Sequence, residues 1–242
     1  MPRSEMSFLG HLEELRRRII VSGIAILAAG CISFALADPL LEFLLLPSGG
    51  IHLRAFGIMD GLLIKIRLAL TAGIALAFPV WAFEAMSFVT PALTAAEKRR
   101  LLVLLAAALL LFAAGTAFGY SMLGMMIQVL TGLFPARIQY LPSASDYISF
   151  VLFFLLACGV SFELPIALIL LVQFRVLRVD ALRRQRKVAW FILFVFAEII
   201  TPVTDPIVAP LTVLAPLVVL YEAGMFVARR IDARRGAQRE GG

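Results

Sequence analysis

The sequence predicts an all-α polytopic membrane protein, six transmembrane helices with both termini cytoplasmic, forming a bundle with a polar concavity. Three observations predict it. The chain is 62% hydrophobic and only 16% charged, with a mean hydropathy of +0.97, whereas a soluble chain is about 45–50% apolar and about 25% charged. Its apolar residues gather in runs near the ~20 residues that cross a hydrocarbon core. Inside those runs stand three carboxylates, Glu84, Glu163 and Glu198. A charge at the bilayer centre costs roughly 2.5–3.5 kcal/mol on insertion scales, so such groups face a partner or a wet cavity. Pro79, Pro165, Pro202, Pro210 and Pro216 interrupt the same runs, which suits a chain that moves or receives a substrate.

The six spans cover about 19–37, 62–89, 101–126, 148–174, 188–200 and 207–226, in one domain, 1–233, followed by a disordered-looking cytoplasmic tail, 234–242. The first follows a basic stretch and ends at Ala35-Leu36-Ala37. Its apolar run exceeds the 7–15 residues of a signal peptide, so it reads as a retained span. The fifth and sixth are short. With about 13 residues, the fifth rises roughly 20 Å as a helix, against a core about 30 Å thick. Short spans thin the bilayer or lean on neighbours; the other reading extends these helices into their polar flanks.

Orientation follows from the basic residues. Arg3 and Arg16–Arg18, then Lys98–Arg100, then six between Arg175 and Lys187, then five between Arg229 and Arg239 all fall on one face. Only Arg54, Lys65, Arg67 and Arg137 fall on the other. That bias places the termini and the basic loops in the cytoplasm. The net charge of +6 thus belongs to cytoplasmic loops near anionic lipid and does not point to nucleic acid. The outward loops, 38–60 with Pro47 and 131–147 with Pro135 and Pro142, are long enough to hold short helices or a function. The last outward link, 201–206, is tight.

Cys31 and Cys158 lie in apolar runs and read as buried free thiols. With only His11 and His52 beside them, no metal centre is expected, and no cofactor. Around His11, the stretch 8–18 reads as an amphipathic helix in which Phe8, Leu12, Leu15 and Ile19 share a face. Glu13 and Arg17 are spaced to pair on it, so it is either a solvated collar or a binding segment. Pro91 ends the second span, and Thr94 with Glu97 forms a capping box for the next helix.

His11-Leu12-x-Glu14-Leu15-Arg16, Phe88-x-x-Pro91-Ala92-Leu93-x-x-x-Glu97, Asp146-Tyr147-x-Ser149-Phe150, Ser161-Phe162-Glu163-Leu164-Pro165, Thr201-Pro202-x-x-Asp205 and Tyr221-Glu222-x-Gly224 follow in this order. Each motif is weak alone, but the ordered set resembles the TatC family across essentially the whole chain. TatC proteins are receptor subunits of the twin-arginine protein translocase. The resemblance implies a glove-shaped bundle that binds twin-arginine signal peptides of folded precursors on its cytoplasmic side. Glu14 and Glu97 match the acids that receive the arginine pair, supported by Arg16, Phe88 and Pro91. Carboxylates accept a planar guanidinium fork bidentately, which separates Arg-Arg from Lys-Lys.

The same resemblance implies that Pro47 shapes the first outward loop and that Asp205 is the acid of the last outward turn. It makes Glu163 the intramembrane acid facing a wet groove, and implies TatA- and TatB-type single-span partners, self-association, the bacterial inner membrane and drive by the proton-motive force. By itself, Glu163 followed by Pro165 reads as either a structural acid or a partner contact. Glu198 is either a polar contact or an interfacial residue. The chain departs from the family's pattern at Met86, often Trp, at Ala209, often Gln, and at Glu198, often apolar.

Two rival classes fit less well. An intramembrane enzyme needs a nucleophile with its base, or metal ligands, at depth; the acids here are scattered singly and no phosphate-binding G-x-x-x-x-G-K-[ST] loop occurs. A small-solute secondary transporter suits the broken spans, but no inverted repeat is visible.

Overall fold

The computed structural model describes residues 8–50, 53–89, 95–132, 142–173, 176–201 and 208–240, with side chains assigned except at 8–9, 89, 95–100, 130–131, 208–209 and 232–240. The described residues are helical almost throughout. In chain order they form α1 (Phe8–Ala35), α2 (Ala37–Leu45) with a 3-10 turn at Leu46–Ser48, α3 (Asp60–Leu76), α4 (Phe78–Val89) and α5 (Ala95–Gly132). Then follow α6 (Ala144–Ser161), α7 (Leu164–Gln173), α8 (Val179–Arg184), α9 (Arg186–Ile200) and α10 (Val208–Glu240). Extended pairing among them is limited to one bridge, Arg54 with Ser143. A chain in lipid must pair its own backbone amides, and helices do so within a single segment.

Four stretches are long and apolar enough to span: Gly10–Ala35, Leu101–Val129, Ala144–Gln173 and Pro210–Ile231. The pair Asp60–Leu76 and Phe78–Phe88, bent by 51°, makes a fifth. Large apolar side chains such as Ile24, Leu27, Leu110, Phe191 and Val219 are exposed, as hydrocarbon solvent allows. At 15 residues α9 rises about 22 Å, short as expected. The last span, expected to be short, is not: Pro210–Ile231 covers 22 residues. α10 runs 33 residues with Pro216 inside it, and it continues to Glu240 where the sequence reading expects an unstructured tail from 234. Ala and Arg, strong helix formers, dominate that end, and Arg230 lies over the Phe226 ring at 4.5 Å one turn earlier.

Two spans are broken where the sequence reading draws them continuous. Pro79 has no N–H to continue α3, so the helix stops at Leu76. Ala77 N–H turns back to the Gly73 and Ala75 carbonyls, and the Trp81 indole donates to the Ile74 carbonyl at 3.0 Å. Pro165 has the same effect between α6 and α7. There Phe162 N–H reaches the Cys158 carbonyl at 3.2 Å and Glu163 N–H the Val160 carbonyl at 3.0 Å.

The chain divides into two compact units. One comprises Met1–Leu46, His52–Leu109 and Pro142–Leu152. In it α1 packs on α3 and α4, with Gly30 against Gly73; small residues let spanning helices approach this closely. Asp60 Oδ2 accepts the Phe56 and Gly57 N–H groups, both at 2.8 Å, shaping the entry to α3. Tyr147 donates its hydroxyl to the Leu44 carbonyl at 3.1 Å, and Arg67 donates to Ser145 and Ser149 at 3.0 and 2.6 Å. These bonds tie α6 to α2 and α3.

The other unit comprises Pro47–Ile51, Leu110–Leu141 and Phe153–Gly242. There α10 packs on α7, α8 and α9. Arg186 donates to Glu222 Oε1 at 2.9 and 2.6 Å, and the Trp190 indole to the same oxygen at 3.2 Å. Tyr221 donates to the Leu182 carbonyl at 3.2 Å. Adjacent residues of α10 thus hold both α8 and the start of short α9.

The glycine contact in the first unit generates a graded prediction. A Cβ at Gly73 would lie 2.8 Å from the Gly30 backbone, whereas one at Gly30 would meet only the Ala69 carbonyl, at 3.5 Å. Gly73→Ala should therefore cost about 1–3 kcal/mol through overpacking and lower the thermal midpoint of the detergent-solubilised protein. Gly30→Ala should leave that midpoint unchanged or raise it, because alanine favours helix.

Candidate functional site

Two groups of polar side chains bear on the sequence reading, one within each unit. In the first, α1 is helical from Phe8, so His11, Glu14 and Arg18 fall along one stripe of its surface. That stripe faces α4. Arg18 donates through Nε and Nη2 to Glu14 Oε1, at 3.0 and 2.5 Å. Through Nη1 it donates to Glu84 Oε2 at 2.9 Å and to the Glu84 carbonyl at 3.5 Å. The three side chains are 22%, 23% and 19% exposed for Arg18, Glu14 and Glu84 respectively.

One guanidinium therefore bridges two carboxylates on two helices, leaving a net negative charge among three mostly buried groups. Together with Arg17 and Val21 they line a pocket of about 250 Å³. One turn before Glu14, the His11 ring stacks on Phe88 of α4, centroids 4.4 Å apart and planes 20° from parallel. The bridge and the stack seat the start of α1 against α4. An open, polar-rimmed pocket with forked acceptors is suited to a guanidinium or another compact cation.

Several sequence-predicted residues meet here and others do not. Glu14 and Phe88 belong to this place. Arg16 is exposed and lines a separate shallow surface with Glu13, Arg17 and Ile20. Glu97 lies in the first turn of α5, while its side chain, Pro91 and the Thr94 cap lie outside the described residues. Among the described residues no ion pair joins Glu13 to Arg17. Their face turns away from α4, and the pair formed on α1 is Glu14 with Arg18. Sequence reasoning missed Arg18, although Glu84 in an apolar run needed a cationic partner, and a cation four residues after Glu14 was available.

The second place is the break between α6 and α7. Glu163 sits in the break, its carbonyl accepting the Ala167 N–H at 2.9 Å. Its Oε1 is buried without a hydrogen-bond partner, as is the Thr116 hydroxyl of α5. Small residues bring α5 and α6 together beside it. A Cβ at Gly159 would lie 2.7 Å from the Thr116 hydroxyl, and one at Gly115 only 2.6 Å from the Cys158 carbonyl. Pro165 is buried against Gly224 of α10, where a Cβ would come within 2.7 Å of the proline Cα.

Of the remaining candidates, Glu198 is half-buried near the end of α9. Pro47 lies in the 3-10 turn after α2, and Asp205 lies outside the described residues. Cys158 is buried, but Cys31 is exposed on α1, contrary to the expectation of two buried thiols. Among the described residues no group of three or more His, Cys, Asp or Glu could hold a metal ion.

The chain as a whole is similar to known proteins. A protein-family model described as TatC, Sec-independent protein translocase protein, matches residues 10–216. A Sec-independent protein translocase protein TatC from Carboxydothermus hydrogenoformans is 31% identical over 97% of this chain and 97% of its own length. One from Deinococcus radiodurans is 33% identical over 90% of this chain and 84% of its own. A crystal structure of a twin-arginine translocase receptor TatC superposes with a TM-score of 0.77 at 34% identity, covering 90% of this chain and 98% of that one.

The unpartnered Glu163 oxygen generates a prediction about stability. Burying a polar atom without a partner costs about 1–3 kcal/mol, and methionine fills a similar volume without it, giving up only the carboxyl's bond to the Phe112 backbone. Glu163→Met should accordingly raise the thermal midpoint in detergent micelles, measured by scanning fluorimetry. A lower midpoint would mean that the carboxyl is held by a bond that outweighs its burial.

Proposed function

The chain belongs to the TatC family of Sec-independent protein translocase proteins, and from that membership we propose that it is the receptor that captures twin-arginine signal peptides at Glu14 and Glu97. As a translocase component it is a multi-pass membrane protein. In this reading it lies in the bacterial inner membrane, six-spanning with both termini cytoplasmic, and exports folded precursors on the proton-motive force without being an enzyme.

The observation that carries the site is the mostly buried Glu14 carboxylate in an open pocket already shaped around a guanidinium. A carboxylate held at the membrane edge is worth more to an arginine than one in bulk water, because the local dielectric is lower. Arg16, Phe88 and Pro91 support the site, Phe88 through its stack on His11. Glu163, Pro165 and Glu198 are the contacts for TatA- and TatB-type single-span subunits. Pro47 and Asp205 shape the outward loops, and copies of the chain self-associate among membrane lipids. A small-solute transporter finds no support in the family to which the chain belongs.

Binding of a fluorescent twin-arginine signal peptide to the full chain in lipid nanodiscs tests the proposal. The peptide should bind, and both its twin-lysine version and the Glu97→Ala protein should lose about tenfold or more, the value of a charge-assisted bidentate bond of about 1.5–3 kcal/mol. Equal binding of both peptides by a folded sample would refute a receptor acting alone, and repeating the titration with partner subunits would show whether they complete the site.

A further inference from the structure

We propose that Arg18 is a resident stand-in for an arginine of the signal peptide, and that Glu84 is a third receiving carboxylate beside Glu14 and Glu97. This rests on the receptor reading and deepens it, because it assigns the source of the arginine-over-lysine selectivity. The chain itself displays the ligand chemistry of the pocket. A guanidinium sits between Glu14 on α1 and Glu84 on α4, bonded to both.

Three features make that guanidinium replaceable. Its bonds use one oxygen of each carboxylate, Glu14 Oε1 and Glu84 Oε2. It is partly exposed, at 22%, on a flexible stem that can carry its charge outward while the stem stays on apolar surface. The pocket beside it is open and about 250 Å³ in volume. An incoming arginine and Arg18 would repel each other if both remained, with exposed Arg17 on the rim adding to the repulsion. Exchange of one fork for the other keeps every bond of the same kind.

The selectivity follows from competition. An arginine of the peptide can reproduce the bridge across two helices, because its donors lie in a planar fork of the same geometry. A lysine ammonium is a compact point charge and displaces a forked resident poorly. Arg18 therefore lowers the affinity of both peptides but lowers that of the lysine version more, a penalty built against the wrong ligand. A purely structural clamp between α1 and α4 would behave differently, since loss of either partner would loosen the site and weaken binding.

The test uses the full chain in nanodiscs with fluorescent twin-arginine and twin-lysine peptides. Arg18→Gln should bind the twin-arginine peptide roughly two- to fivefold more tightly, the scale of a partly exposed ion pair, and should discriminate less against twin-lysine. Glu84→Gln should bind the twin-arginine peptide more weakly by a similar factor. Arg18→Lys keeps the charge without the fork and should move in the same direction as Arg18→Gln, so it decides the matter if the glutamine variant does not fold. Weaker or unchanged binding by the folded Arg18 variants, while Glu14→Gln and Glu97→Gln abolish binding, overturns the stand-in and leaves the receptor reading intact. Full binding by Glu14→Gln and Glu97→Gln overturns both.

Discussion

An amide left unpaired in hydrocarbon costs several kcal/mol, and the departures of this chain from continuous helix occur where other groups meet that demand. At the α3–α4 bend, the Ala77 N–H and the Trp81 indole reach carbonyls of the last turn of α3. At the α6–α7 break, the Phe162 and Glu163 amides fold back onto the preceding turn. At the end of α9, the Thr201 amide and hydroxyl both bond the Ala197 carbonyl, at 2.9 and 2.7 Å. Pro79 makes the α3–α4 bend necessary and Pro165 the α6–α7 interruption, and local donors make each tolerable.

The bend and the interruption give the polar side chains their settings. After the bend, α4 brings Glu84 and Phe88 to the start of α1, where Arg18 and His11 meet them. The contact pairs charge with charge and ring with ring, so it is specific in register as well as favourable. The α6–α7 interruption leaves one Glu163 carboxyl oxygen buried without a partner. Native interiors keep few such atoms.

Charge placement made much of this readable beforehand. Glu84, Glu163 and Glu198 were conspicuous because carboxylates are rare in apolar runs, and two of the three now have a defined setting. The ordered motifs led to Glu14 and Phe88, and both lie at the contact of α1 with α4, Glu14 bonded to Arg18 and Phe88 stacked on His11. Tyr147, Ser149, Tyr221 and Glu222 were visible only as letters of those motifs. In the structure they are hydrogen-bonding groups that fasten α6 to α2 and α3, and α8 and α9 to α10. The pairing of Glu13 with Arg17 was misread, since i,i+4 spacing permits two neighbouring pairs and only the direction of α4 selects between them.

Composition, the length of the apolar runs and the bias of Lys and Arg determined by themselves that this is a helical, membrane-spanning chain, because a span's length and its flanking charges are local properties of the sequence. Its motif order determined the family. The tertiary structure decided which carboxylates share a cation and which glycines touch. Those outcomes depend on residues 66 positions apart, as with Arg18 and Glu84, and no local spacing encodes the distance between two helices that have yet to pack.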